Sequence, residues 1–332
     1  MISSKTEISV LVTGVGAIIG QGIIKSLRES KYLVRIIGLD RSNRSPGPYF
    51  CDAFHQKPNC EEDTSEYITF WRDILQSERV DIVMPGLEVD VFFLDSQRQL
   101  FTELGVAIAI NRTELISLSA DKWNLGQKLE DAGLPNIPSL ITENWTEAVS
   151  VLGMPPLLLK PRNGNGSRGI VRLNDSWDFD YWRAKSTGKW MLQRIVGDDS
   201  NEFTVGVFGI GDGESIAPII LKRRLSAAGN TLEAQVNHDF VIEEATQMLT
   251  RYFKPLGPTN YQFRKEGDIA FLLEINPRFS SSNSLRTAFG FNEAEMAIDY
   301  FKFGKIPMAP VIREGTAWRF SEDFVHYASN IV

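Results

Sequence analysis

The chain has 332 residues, 43% of them hydrophobic, with 35 Lys and Arg against 42 Asp and Glu for a formal charge of −7. Such a chain suits two to three globular domains with a real core, which excludes a fibrous or disordered protein. The negative charge, with no long Lys/Arg stripe, argues against nucleic acid or an anionic membrane as partner, and no run approaches the roughly 20 apolar residues of a bilayer span. The apolar stretch VLVTGVGAIIGQGII carries interspersed glycines and Gln21 without a basic leader or cleavage site. It reads as strand, turn and helix rather than a signal sequence, and the chain reads as cytoplasmic.

The first third alternates strand and helix patterns. Strands are predicted at 8–13, 34–39, 81–84 and 106–110, with helices after Gly20 and from about Glu88. This alternation implies parallel pairing in a layered α/β domain that ends near residue 118. In its first turn Gly14, Gly16 and Gly20 enter a helix, and Asp40 closes the next strand. A dinucleotide turn with a ribose-binding acid is compatible with this, so an NAD-binding protein is one alternative. The spacing departs from G-x-G-x-x-G, however, and a tight strand-to-helix turn calls for glycine anyway. Cys51 and Cys60 with His55 between them offer at most three local metal ligands, so reduced, incidental thiols are the expectation.

A helical stretch at 121–132 ends in Gly133-Leu134-Pro135, and a different architecture follows. Strands are predicted at 157–160, 169–172, 190–194, 203–208 and 216–221, consistent with antiparallel sheets carrying helices in two α+β lobes. Between the first two lies K-P-R-N-G-N-G-S-R-G, with Lys160 at a strand end and Gly164, Gly166, Ser167, Arg168 and Gly169 in the connection. Glycines let backbone N–H groups approach an anion, Ser167 adds a donor and Lys160 adds charge. No G-K-[ST] follows, so this is not a Walker loop. Alone it would read as a glycine-rich hairpin.

Further on, Tyr261-Gln262-Phe263 and an apolar run at 269–275 flank a turn, and the run delivers Glu274, Asn276 and then Pro277-Arg278. Strand alternation points Glu274 and Asn276 the same way, as hard oxygen ligands of the kind Mg²⁺ takes. With a three-residue loop at 266–268, Lys265 pairs with Ile269 and Gln262 faces Leu272, which places Gln262 on the face of Glu274 and Asn276. A two-residue loop turns it to the other face. The plain alternative for all of these is a polar strand end that meets solvent.

In this order the parts resemble the ATP-grasp superfamily, nearest the branch of the carbamoyl-phosphate synthase large subunit and biotin carboxylase. The resemblance rests on the Rossmann-like N-terminal domain, A-D-K at 120–122, K-P-R-x-G-x-G-S-R-G at 160–169, Q-R-I-V at 193–196, Gln262 and E-I-N-P-R at 274–278. It implies a pre-ATP-grasp domain over 1–118, a small lobe over 119–192 and a large lobe with the metal site over 193–332. It also implies ATP and Mg²⁺ as cofactors. Lys122 and Lys160 would contact the nucleotide, the 164–169 loop would cover its phosphates, Gln193 and the backbone near Val196 would hold adenine, and Glu202 the ribose. Gln262, Glu274 and Asn276 would arrange Mg²⁺, and Arg278 would face the transferred phosphoryl group. Many relatives carry Glu at the position of Gln193, and an acid is frequent at that of Gln262, although the synthase branch also uses glutamine there.

The activity implied is that of a ligase that makes an acyl phosphate from a small carboxylic or amino acid and passes the acyl group to an amine. One set of motifs, without a second half or a glutaminase, favours a stand-alone enzyme, and homodimers are common among relatives. A nucleotide-binding subunit that needs a partner chain is the other family reading. For the substrates, Lys222 and Arg224 would share one face if their strand continues, reaching phosphate or an acidic substrate; a solvated strand end is the alternative. The serine-rich turn from Ser280 to Ser284 could hold a carboxylate or simply cap a helix, and Glu88 could meet an amine or simply favour a helix dipole. No nucleophile elbow or H-E-x-x-H is present, and His55, His238 and His326 are scattered.

Overall fold

The computed structural model describes residues 7–164, 169–226, 229 and 231–327. Its first five strands are β1 (Ile8–Thr13), β2 (Val34–Asp40), β3 (Ala53–Gln56), β4 (Ile82–Met84) and β5 (Ala107–Ile108), in the order β3-β2-β1-β4-β5. All pairings are parallel, with Val10 opposite Ile36 on one side and Ile82 on the other. Strands buried on both faces must be apolar almost throughout, which is why β1 reads ISVLVT. The faces are covered by α1 (Ile18–Arg28), α2 (Ser65–Ser77), α3 (Glu88–Ser96) and α4 (Arg98–Glu103). Open parallel sheets present ligands at the carboxyl ends of their strands, and α3 starts there, just after β4.

Two linking helices follow, α5 (Thr113–Ser119) and α6 (Lys122–Asp131), the latter started by the Asp121 carboxylate, which accepts the Trp123 and Asn124 amides. Next come β6 (Ser139–Leu140), α7 (Trp145–Leu152), β7 (Leu157–Pro161), β8 (Val171–Leu173), α8 (Ser176–Lys185) and β9 (Trp190–Arg194). These strands form an antiparallel sheet in the order β6-β9-β7-β8, and Leu157, Leu159, Leu173 and Leu192 pack with Ala148, Leu152 and Phe179 in a core of their own.

The largest sheet comprises β10 (Glu202–Ile210), β11 (Ser215–Leu225), β12 (Thr231–Val236), β13 (Leu256–Glu266), β14 (Ile269–Asn276) and β15 (Thr316–Trp318), in the order β14-β13-β10-β11-β12-β15. On one face Phe203, Val205, Tyr261 and Phe263 pack with α5, α6 and α9 (Phe240–Phe253). On the other, Phe208, Ile219 and Leu221 join Val10, Ile23 and Leu27 of the parallel domain through Phe279, Phe289 and Phe291 around α10 (Asn283–Ala288) and α11 (Glu293–Ala297). The parallel domain and this sheet therefore share one core, whereas the four-stranded sheet keeps a separate one. Among the described residues no helix is long and apolar enough to cross a membrane.

A buried ion pair is built into that shared core. Arg286, 0% exposed in its side chain, bonds Glu293, 1% exposed, at 3.2 Å, and also donates to Thr204 and to Asn260. Room for the guanidinium comes from Gly206, where a Cβ would lie 2.8 Å from it. Glycine inside a strand here marks a close approach rather than a turn. Gly206→Val is expected to destabilise the protein by about 2–4 kcal/mol, because it overpacks the core and displaces a paired buried charge. Thermal unfolding checks this, and an unchanged midpoint would mean that the guanidinium can move aside freely.

Candidate nucleotide and metal site

The β13–β14 hairpin closes with the two residues Gly267 and Asp268, Glu266 pairing Ile269, so the expected three-residue loop does not form. Gly267 takes the positive φ of 59° that so tight a turn demands. By parity alone this loop turns Gln262 away from Glu274. A bulge restores the face: Phe263 pairs Leu272, but Gln262 pairs Glu274 and Asn260 pairs Asn276. The extra residue, Leu273, packs against Ile137, Val196 and Phe271.

At the end of β14 the side chains hold one another in a row. Asn276 Nδ2 donates to Glu274 Oε1 at 3.0 Å, and Arg278 Nη2 donates to Asn276 Oδ1 at 2.9 Å. Glu274, Asn276 and Gln262 offer one carboxylate and two carboxamides, all hard oxygens. Among the described residues no three His, Cys, Asp or Glu side chains gather as metal ligands. The set therefore suits Mg²⁺ that completes its coordination with phosphate oxygens and water.

Lys160 lies on β7 with only 6% of its surface exposed, and its Nζ donates to Gln193 Oε1 at 2.6 Å. Gln193 in turn donates to Ser139 Oγ at 2.9 Å, so its whole amide holds the lysine. Burial first, then the charge of Lys122, push the Lys160 ammonium down to about 8, while Glu274 pulls the other way. Lys122 Nζ donates to the Gly164 carbonyl at 2.5 Å. The Lys122 amide donates to the Arg162 carbonyl, and the Arg162 guanidinium grips Asp121 at 2.5 and 3.1 Å. A-D-K and K-P-R are thus one structural unit, which brings the Lys122 charge near enough to act on Lys160. Gly169 takes a φ of 75° where the chain re-enters β8; Gly166, Ser167 and Arg168 lie outside the described residues.

Other expected positions sit differently. Val196 is buried at the hinge beside Ile137 and Phe271. Both oxygens of Glu202 meet guanidinium groups, Oε1 that of Arg223 at 2.8 Å and Oε2 that of Arg264 at 3.0 Å. β11 does continue through Lys222 and Arg224, as the shared-face expectation required. Lys222 stands over the Phe203 ring, and Arg224, 62% exposed in its side chain, pairs with Glu233. Arg223, between them, points to the site and donates to Gln262 Oε1 at 2.5 Å.

Arg319 braces the turn after Arg278. Its amide joins the Leu232 carbonyl just past β15, and its Nη2 donates to the carbonyl of Ser281 in the turn after Arg278. Its Nη1 is buried without a partner. In that turn Ser280 Oγ accepts the Ser282 amide, and Ser282 Oγ meets Thr231. On the opposite wall Glu88, which opens α3, lies 3.7 Å from Arg278 Nη2, and one pocket takes in Glu88, Phe92, Ile116, Lys122, Glu274 and Arg278.

The N-terminal glycine turn is used up internally. Asp40 Oδ2 accepts the Gly16 amide at 2.9 Å, and Gly47 packs so closely that a Cβ on it would lie 2.3 Å from the Val15 carbonyl. A ribose-binding role for Asp40 gains nothing from this arrangement.

Residues 188–321 match the family described as "ATP-grasp in the biosynthetic pathway with Ter operon", and residues 10–109 match "PylC-like, N-terminal domain". The chain belongs to the ATP-grasp superfamily. Its parallel α/β domain is the pre-ATP-grasp domain, and its antiparallel sheets are the ATP-grasp lobes. This ATP-grasp chain is 22% identical over 303 residues to the carbamoyl phosphate synthase large chain of Thermotoga neapolitana, covering 84% of itself and 27% of that protein. It spans only about a quarter of the relative's length. Among solved structures it resembles N5-carboxyaminoimidazole synthetase from Staphylococcus aureus complexed with ADP, with a TM-score of 0.70 at 18% identity over 93% of this chain and 81% of that one. It also resembles the biotin carboxylase domain dimer of Hydrogenobacter thermophilus 2-oxoglutarate carboxylase, in complex with MgADP, ADP and bicarbonate. There the TM-score is 0.67 at 16% identity over 93% and 73% of the two chains. At such identities the structural likeness establishes the fold alone.

Proposed function

We propose that this chain is an ATP-dependent carboxylate–amine ligase that activates a small carboxylic or amino acid as an acyl phosphate. The observation that carries this is the convergence of Lys122, the Glu274–Asn276–Arg278 row and Glu88 from the other domain on one pocket, with the buried Lys160 close enough to feel the charges of Lys122 and Glu274. ATP and Mg²⁺ are the cofactors inferred, in keeping with the ADP and MgADP of the two solved relatives. Mg²⁺ held by Glu274, Asn276 and Gln262 would neutralise phosphate charge. Lys160 and Lys122 hold the phosphates, and the hinge backbone near Val196 holds the adenine, because the Gln193 amide is occupied with Lys160. Arg278 faces the transferred group.

In the first step the carboxylate oxygen attacks the γ-phosphorus and ADP leaves. In the second the amine nitrogen attacks the acyl carbon and phosphate leaves, with Glu88 placed to take the amine's proton. Both steps depend on aligning groups that would otherwise repel, so positioning and electrostatics do the work without a covalent nucleophile on the protein. The dimer of the Hydrogenobacter relative makes a homodimer the natural assembly to propose.

The chain's 27% coverage of the synthase large chain favours a second reading, a nucleotide-binding subunit completed by another polypeptide. Phosphate release from Mg-ATP across panels of acids and amines separates the two. Release that needs both an acid and an amine is expected. Thermal stabilisation by ATP without release for any pair would support the subunit reading, and no ATP effect at all would overturn both.

A further inference from the structure

One wall of the pocket is apolar, and the phosphate-handling groups do not account for it. Glu88, Val91 and Phe92 all line the pocket, and they stand at positions i, i+3 and i+4 of α3, which is a single face of a helix. Ile116 and Ser119, three apart on α5, line it beside them. Val91 and Ile116 are buried and belong to a core of the parallel domain. Phe92 does not: its neighbours Phe93 and Leu94 are buried in that core, whereas Phe92 is 41% exposed. A lone aromatic on open surface needs no explanation, but one that lines a concave site next to a carboxylate is placed to meet a ligand. Ser119 spends its hydroxyl proton on the Ile116 carbonyl at 3.0 Å, so this wall offers little polar recognition beyond Glu88. It is not the seat of the adenine either, since the hinge side chains around Val196 form a separate cluster with Ile137, Phe271 and Leu273.

We propose that the amine substrate is an apolar one, whose hydrocarbon part rests on Phe92, Val91 and Ile116 while its nitrogen meets Glu88. This deepens the ligase reading and rests on it. The acid is tied to the opposite side, because its carboxylate must reach the transferred phosphoryl group at Arg278. The nitrogen that attacks the acyl carbon comes from the side of Glu88, whose carboxylate lies 3.7 Å from Arg278 Nη2. The rest of the amine then extends along α3, where the next side chains on the same face are Val91 and Phe92. A charged or strongly polar tail would lose its water there without gaining a partner. An apolar tail covers the Phe92 ring and gains from leaving water.

The test compares two apolar amines, isopentylamine and benzylamine, with two polar ones, ethanolamine and putrescine. Saturation-transfer difference NMR reads their contact with the protein in the presence of Mg-ADP, and steady-state phosphate release from Mg-ATP reads their use across the acid panel. Transfer to the hydrocarbon protons of the apolar amines is expected, with KM values about tenfold below those of the polar amines, the discrimination that a few apolar carbons supply. Phe92→Ser should abolish that transfer and raise the apolar KM values about tenfold, and Phe92→Leu should restore most of both. Because Phe92 lies outside the core, thermal melts of both variants should match the wild type. Equal KM values for the two kinds of amine, or apolar KM values that Phe92→Ser leaves unmoved, would overturn this assignment and leave the ligase reading standing. A dependence on Phe92 that follows the acid instead of the amine would overturn it as well. Phe92-dependent transfer without phosphate release from any pair would overturn the ligase reading and keep the apolar seat, and neither transfer nor release would overturn both.

Discussion

Lys160→Met is expected to weaken ATP-analogue binding roughly 100-fold, about 3 kcal/mol, while leaving the free protein at least as stable as before. The two halves of this result have one cause. The ammonium is buried against an amide rather than an acid, and its pKa falls from 10.5 to about 8 in the free protein. Near neutral pH the charge is present but costly, and a bound phosphate is what compensates it. Because the folded pKa lies below the unfolded one, the unfolded chain holds the extra proton between about 8 and 10.5. Stability of the free protein should therefore rise with pH across that window, by on the order of 3 kcal/mol from this group. Nucleotide affinity should do the opposite and fall as pH passes about 8, because a neutral amine no longer complements phosphate. Methionine fills similar space without the proton, so the Lys160→Met protein should lose both trends. Analogue titrations and thermal melts from pH 7 to 10 would read them, and undiminished analogue binding by the variant would remove Lys160 from the site.

Glu274→Gln should cut turnover by about a thousandfold, roughly 4 kcal/mol of transition-state stabilisation, with the melting temperature essentially unchanged. The side chain's protein partner is Asn276 Nδ2, which a glutamine oxygen can accept equally well, so the fold has little at stake. What disappears is the one carboxylate of the proposed metal set, and hard divalent ions favour anionic oxygen. Glu274 also supports the charge on Lys160, so its loss should move the fall in nucleotide affinity to lower pH. Steady-state phosphate release, with the substrates identified as above, is the measurement, and full activity in the variant would dismiss the metal row.

Much of this was legible in the residues, and the limits have physical reasons. The apolar run ending in Glu274-Ile275-Asn276 announces a buried strand with a polar end, and K-P-R announces the end of a strand that leads into a glycine-rich connection. Register is where reading the sequence stops. The bulge at Leu273 depends on what that side chain packs against, and Ile137 and Val196 lie far away along the chain. The same one-residue ambiguity applies to Lys222, Arg223 and Arg224, whose faces are set by the pairing of β11 with β10. Arg319 gave no local signal, because its position follows from β15 pairing with Glu233, Ala234 and Gln235, more than eighty residues earlier. The twin arginines on Glu202 come from two other strands and are equally invisible in its own neighbourhood.

The shared core has a consequence for how the chain is made. One flank of α1 is finished only by residues some 260 positions later: Ser26 Oγ meets Thr287 Oγ1 at 2.7 Å, and Asn292 Nδ2 reaches the Ser26 carbonyl at 2.8 Å. While the ribosome is still working through the middle of the message, the emerging parallel domain shows Ile23, Ile24 and Leu27 with Phe279, Phe289 and Phe291 not yet synthesised. An apolar flank left bare for that long is a target for holding chaperones and a nucleus for aggregation. A premature stop soon after the metal strand would produce a polypeptide with every nucleotide motif in place and the wrong surface turned to water.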